Sequence, residues 1–264
     1  MSDAIFFRDG ERFVPTDSAR GPWSRDAQHG GPPSALLARA VEGFADGDRM
    51  FVARLTIELL RPVPLVPLTI RERLLRPGKK VQLIEASLCT AEVEVARCTA
   101  LRIRRADVPL PSGLPTVALP PGPEAGITSA PRAAESGDEA FHSHAVEHRF
   151  VAGGFDRPGP ATDWIRLRVP LVQGEPTSPL CRVAAAADFG NGVSSVLNPA
   201  EGYLFINPDL TIYLDRYPEG EWVCLDAVTY VQPHGVGWAE SLLFDERGPI
   251  GRAAQSLLIE KLSA

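Results

Sequence analysis

Residues 55 to 61 read Leu-Thr-Ile-Glu-Leu-Leu-Arg, and residues 210 to 216 read Leu-Thr-Ile-Tyr-Leu-Asp-Arg. Five of the seven positions agree at one offset of 155 residues. Carried on without gaps, the offset also matches Val81 with Val236, Glu85 with Glu240, Leu88 with Leu243 and Arg97 with Arg252, nine identities between positions 55 and 103. Average composition gives roughly one match in fifteen. The turn signals recur in the same places, so the pattern reads as a unit written twice and not as a chance likeness of two β-rich segments.

Working outward, residues 5 to 15 hold an Asp9-Gly10 pair between apolar flanks, a hairpin signal. Leu36, Leu37, Ala40, Val41 and Phe44 then fall at helical spacing, with Pro33 near the start, and predict a helix over 33–44. Strands are expected near 51–60, 65–75, 80–90 and 92–104, broken by Pro62 and Pro64, by Arg76-Pro77-Gly78-Lys79 and around Thr90-Ala91. Spacings this short suit an antiparallel sheet. Residues 106–140 are rich in proline and small residues and read as a linker. The order then recurs: strands near 146–152 and 163–171, a helix over 179–189, and strands near 202–215, 221–231, 236–246 and 249–260. The expected domains are 1–105 and 141–264, joined by that linker.

The helix over 179–189 is apolar nearly all round, as a helix wrapped by a sheet must be. One long helix held in a curved antiparallel sheet is the hotdog architecture. The fold class expected is therefore α+β, a double hotdog of two tandem copies.

The net charge of −6, without a basic stripe, argues against nucleic-acid binding. No run of 18 apolar residues occurs, and the Met-Ser-Asp start lacks signal-peptide character, so a cytoplasmic protein with no membrane partner is expected. Cys89, Cys98, Cys181 and Cys224 have no metal or disulfide spacing and read as buried reduced thiols. His142, His144 and His148 lie close in sequence, but no Cys or carboxylate nearby completes a tetrahedral set. They read as surface or interface histidines, with no metal and no cofactor expected. Phosphate-binding loops, dinucleotide fingerprints, Gly-x-Ser-x-Gly elbows and His-Glu-x-x-His are all absent from the sequence.

Three polar residues break the apolar pattern. Asp188 follows Ala184 and Leu180 along the apolar stripe of its helix. It is either a carboxylate held in a cleft for catalysis or a helix-end Asp bonding the Asn191/Gly192 turn. Gln255 shares a strand face with Ala253, Leu257 and Ile259, as a site amide or as an edge or interface amide. Asn207 precedes Pro208; simple alternation turns it away from the core, and only a bulge or bend at Pro208 redirects it. At the repeat offset Gln255 meets Ala100 and Asn207 meets Val52. One working site per chain is expected at the seam between copies, with its counterpart reduced to apolar packing.

Gly30-Gly31 before a helix, Arg61-Pro62 after a strand, the Arg-Pro-Gly turn, the Pro-rich linker, Ala-Ala-Asp ending a helix and Ala-Ala-Gln-Ser near the C-terminus together resemble the acyl-CoA thioesterase II family. The resemblance covers most of the chain. It implies hydrolysis of an acyl-CoA thioester by a water oriented by an Asp, a Thr or Ser, and a Gln, which fall here on Asp188, Asn207 and Gln255. Asn207 departs from the family hydroxyl. Such a water needs a carboxylate to take its proton and donors for the oxyanion, for which His29, Gly30 and Gly31 stand at a helix start. Arg76, Lys79 and Lys80 are candidates for coenzyme A phosphates, and Trp23 and Phe44 either line an acyl tunnel or pack in the core. A homodimer is the default partner state. The rivals are a non-catalytic acyl-CoA binding protein and a hotdog hydratase. The hydratase signature Asp-x-Asn-Pro-x-His is incomplete, with Phe205 and Leu210 at its acid and histidine positions.

Overall fold

The computed structural model describes residues 3–45, 49–129 and 139–261. A hairpin of β1 (Phe6–Asp9) and β2 (Arg12–Pro15) opens the chain, followed by α1 (Gly31–Gly43). Strands β3 (Met50–Leu59), β4 (Thr69–Arg76), β5 (Val81–Cys89) and β6 (Glu94–Arg104) complete the first copy. The second has β7 (Ile127–Ser129), β8 (Val146–Gly154), β9 (Arg157–Leu167), α2 (Pro179–Ala187), α3 (Gly190–Ser194) and β10 (Tyr203–Ile206). It closes with β11 (Asp209–Leu214), β12 (Val223–Val231), β13 (Val236–Asp245) and β14 (Gly248–Lys261).

All strands after the hairpin join one antiparallel sheet, in the order β4-β5-β6-β3-β11-β14-β13-β12-β9-β8-β7, with β10 beside β14. The order β3-β6-β5-β4 of the first copy is repeated as β11-β14-β13-β12 in the second. The repeated heptapeptides meet at the centre: Leu210 pairs with Ile57, Thr211 with Thr56 and Ile212 with Leu55. Thr56 thus faces its own repeat, the two hydroxyl oxygens 3.4 Å apart, and an approximate twofold axis passes between them. The sheet wraps α1 and α2, which pack against each other, and one apolar core runs through both copies, from Leu36 and Ile57 to Val183 and Ile212. This is the double hotdog.

Local chemistry sets the helix ends. Pro32 and Pro33 occupy the first turn of α1, where a missing N–H costs nothing. At the other end Arg102, 1% exposed on β6, donates to the carbonyls of Val41, Phe44 and Ala45, which have no partner within the helix. Ser178 caps α2, its hydroxyl accepting the Cys181 N–H at 3.2 Å.

Four expectations change. The helix predicted over 179–189 stops at Ala187, and a separate short helix, α3, starts at Gly190. The strand predicted over 202–215 breaks at Asn207-Pro208. There β10 pairs Ile206 with Leu258 while β11 pairs Thr211 with Ala254, a register change of one residue that makes the bulge. Within the segment read as linker, Ile127–Ser129 forms an edge strand on β8, and the Pro121 carbonyl accepts the Trp164 indole N–H at 2.7 Å. Trp23 is 65% exposed and so lies outside the core. All four cysteines are free and buried.

Candidate active site at the helix crossing

Asp188 ends α2 with its side chain 3% exposed. Asn207 Nδ2 donates to its Oδ1 at 2.8 Å, and His29 Nδ1 lies 2.9 Å from its Oδ2. The bulge at Pro208 therefore turns Asn207 inward, against simple alternation. The carboxylate occupies the space that a side chain at residue 30 would take: a Cβ on Gly30 would sit 2.6 and 2.7 Å from its two oxygens. A Cβ on Gly31 would meet the Ala185 carbonyl and the Phe141 ring, each at 2.7 Å. The glycine pair thus lets the start of α1 cross directly against the end of α2.

His29 is held between Phe141 and Phe189, at centroid distances of 5.1 and 4.6 Å. Its Nδ1 also lies 3.1 Å from the Gly31 nitrogen, and it can accept that N–H or, when protonated, donate to Asp188, but not both. The backbone donors expected at this helix start are few. The Gly31 N–H faces His29, Pro32 and Pro33 have none, and the Ser34 N–H bonds the Gly30 carbonyl. His29, Gly30 and Gly31 form a cradle for the carboxylate.

Gln255 lies on β14, an inner strand of the sheet, and is 3% exposed. Its Oε1 accepts the Asn191 N–H at 2.8 Å, so the turn after Asp188 is bonded by Gln255 and not by Asp188 itself. Its Nε2 makes no protein hydrogen bond, nor does the buried hydroxyl of Ser241 on β13. Under α3, Ser194 and Thr229 hydroxyls bond at 2.8 Å, and Thr229 also reaches Asn191. Sequence reading missed Ser194, Thr229 and Ser241. The last two share strand faces with buried Ala227 and Ala239, so the alternation that exposes Gln255 also marks them.

His142 and His148 are 5% and 2% exposed, which corrects their reading as surface histidines. Aromatic packing helps bury His148, which meets Phe189 edge-on at 4.8 Å and bonds Asp163 at 2.6 Å. Burial pushes the Asp163 carboxyl up, against the pull of His148. Burial, with His29, His148 and His144 nearby, draws His142 down to about 3. Among the described residues no group of three or more His, Cys, Asp or Glu side chains is placed to hold a metal.

Arg76 and Lys79 are not brought to this site. They flank the exposed β4–β5 turn, where the Lys80 carbonyl accepts from Arg104, which pairs with Met50 at the start of β3. Asn207-Pro208 instead adjoins Leu59 at the end of β3, whose N–H bonds the Pro208 carbonyl. Ten residues of strand, about 30 Å, separate the two levels.

A family model described as the acyl-CoA thioesterase C-terminal domain matches residues 118–259, and one for the acyl-CoA thioesterase N-terminal domain matches residues 19–103. The chain belongs to the acyl-CoA thioesterase family. Asp188, Asn207 and Gln255 lie in the C-terminal match and His29, Gly30 and Gly31 in the N-terminal one, so both domains of this thioesterase-family chain contribute to the candidate site. Solved structures agree on the fold. A Thermobifida fusca YX protein named as a candidate thioesterase II is 17% identical, with TM-score 0.73 and coverage of 98% of this chain and 96% of that one. A conserved Alicyclobacillus acidocaldarius protein of unknown function with a hot dog fold is 16% identical, with TM-score 0.71 over 99% and 97%. An acyl-CoA thioesterase II, TesB2, from Mycobacterium marinum is 18% identical, with TM-score 0.66 over 90% and 91%. No curated protein matches the chain. No helix among the described residues is long and apolar enough to cross a membrane.

Proposed function

We propose that this chain hydrolyses an acyl-CoA thioester to the free acid and coenzyme A. The observation that carries the reading is a buried Asp188 carboxylate, fixed by Asn207 and His29, at the same turn that Gln255 bonds while keeping its own N–H donors unengaged. Asp188 takes a proton from water as the water oxygen attacks the thioester carbonyl. The Gln255 amide donates to the water or to the oxygen that gains charge. Collapse of the tetrahedral intermediate breaks the C–S bond, and the proton leaves with the thiol. Asn207 and His29 position the carboxylate; an amide replaces the family hydroxyl but still reaches Asp188.

Phe205 and Leu210 are buried apolar side chains, so the hydratase rival has no acid–base pair at those positions. Coenzyme A release, followed with a thiol reagent over a panel of acyl-CoAs, tests the proposal. Asp188→Asn is expected to slow release by about 10²–10⁴-fold while keeping the fold. A folded variant with the wild-type rate on every substrate would remove Asp188 from the mechanism. A wild-type chain that binds acyl-CoA without releasing thiol would leave a binding protein.

A further inference from the structure

The approximate twofold axis generates a second location at the other end of the helix pair, where the start of α2 meets the last turn of α1. Its counterparts of Asn207 and Gln255 are Val52 and Ala100, both buried in the apolar core as expected. Near it lies a pocket of about 400 Å³, open to solvent and lined by Arg39, Ala40, Glu42 and the exposed Gly43 and Glu72. Duplication kept a carboxylate there by a different route. Asp188, at the end of α2, rests against Gly30, the residue before α1; Glu42 stands near the end of α1, toward Ser178, the residue before α2. Burial holds the half-buried Glu42 carboxyl above its ordinary range, opposed by Ser178, Arg105 and Arg182; Glu72, exposed on its strand, is raised only by partial desolvation, opposed by Arg39.

The same copy carries the chain's basic end. Despite a net charge of −6, Arg49, Arg76, Lys79, Lys80, Arg104 and Arg105 are all exposed there. They are joined by backbone bonds from Arg104 to Lys80 and from Arg105 to Arg49. Arg105 lies over the rings of Phe51 and Tyr217, at 5.6 and 5.4 Å. Strand β4 links the two features, running from Glu72 in the cavity wall to Arg76 at the basic turn, about 13 Å. An extended pantetheine arm spans that length.

We propose that this end binds a second coenzyme A ligand on each chain without hydrolysing it, the phosphates on the basic cluster and the pantetheine arm in the cavity against Glu42 and Glu72. The proposal rests on reading the Asp188 site as an acyl-CoA site. The cavity has the size of small-ligand pockets, and guanidinium and ammonium groups pair well with phosphate. With Ala100 and Val52 in place of the two amides, the amide pair that serves the Asp188 turn has no counterpart there.

Titration calorimetry of the full chain with coenzyme A tests this. Two equivalents per chain are expected at low salt, the second weakening as salt rises. The double substitution Arg49→Glu/Arg104→Glu is expected to weaken the second equivalent by about a hundredfold, tenfold for each charge-assisted contact. Gly43→Phe is expected to weaken it, because Gly43 lines the pocket and a Cβ there meets nothing within 4 Å, which leaves room for a ring at its wall. Both variants keep wild-type thiol release. Asp188→Asn loses turnover and keeps both equivalents, so the two readings fail separately. Fewer than two equivalents in the wild type, or two persisting unchanged in either cavity-end variant, overturns the proposal.

Discussion

Gly30→Ala isolates the geometry of the carboxylate from the stability of the fold. The residue has φ −66° and ψ −23°, a conformation alanine adopts without strain. Replacing glycine at such a position gains about 0.4–1 kcal/mol through the unfolded chain. Against that, the new Cβ would lie 2.6 and 2.7 Å from the Asp188 oxygens, where ordinary contact begins at 3.4 Å. The carboxylate must withdraw by about 0.7 Å, stretching its bonds of 2.8 Å to Asn207 and 2.9 Å to His29. A misplacement near 1 Å costs about 10²-fold in rate. We expect coenzyme A release at saturating acyl-CoA to fall by about 30- to 100-fold, with a Tm within about 2 °C of wild type, since the two stability effects oppose each other. Gly43→Ala serves as the control, as its Cβ enters open space. A wild-type rate in a folded Gly30→Ala would refute the argument that Asp188 must be held where it is.

Two further outcomes follow from buried groups. Arg102→Met removes the donor for the Val41, Phe44 and Ala45 carbonyls and should cost about 3 kcal/mol, or about 6–12 °C in Tm. Urea unfolding checks it, and a loss below about 1 kcal/mol contradicts the capping role. His142, drawn down to about 3 in the fold, titrates near 6.5 when unfolded. Between those values the unfolded chain holds the proton and the native one does not, so stability is fully present above about 6.5 and falls by about 1.4 kcal/mol per unit as pH drops toward 3. From pH 7 to 5 this amounts to about 2 kcal/mol, and His142→Phe should remove that share of the slope. Equal slopes in the two proteins exclude it.

The fold was legible because its main signals are local and repeated. Alternation in residues 55 to 61, and its return 155 residues later, located the two strands that meet at the centre of the sheet. Buried polar residues on apolar stripes, Asp188 and Gln255, were visible for the same reason. Asn207 was not, because its direction depends on a one-residue register change that Pro208 permits but does not announce. His148 misled because its burial comes from Phe189 and from Asp163 across the β8–β9 hairpin, partners that alternation along a single strand does not reveal. The pocket at Glu42 leaves no signal at the 155 offset because its carboxylate reaches in from α1, and α1 and α2 are not spaced by 155 residues.

The two residues that precede the helices, Gly30 and Ser178, show what fusion of the copies permits. In a symmetric pair of separate chains every substitution is made twice, so one residue must suit both helix starts. Here each is chosen once. Ser178 supplies a capping hydroxyl, which relative to glycine stabilises its helix by a few tenths of a kcal/mol. Gly30 forgoes that contribution and leaves room for a carboxylate. A single tandem chain can thus assign stability to one helix start and reactivity to the other, a division of labour closed to a homodimer of identical halves.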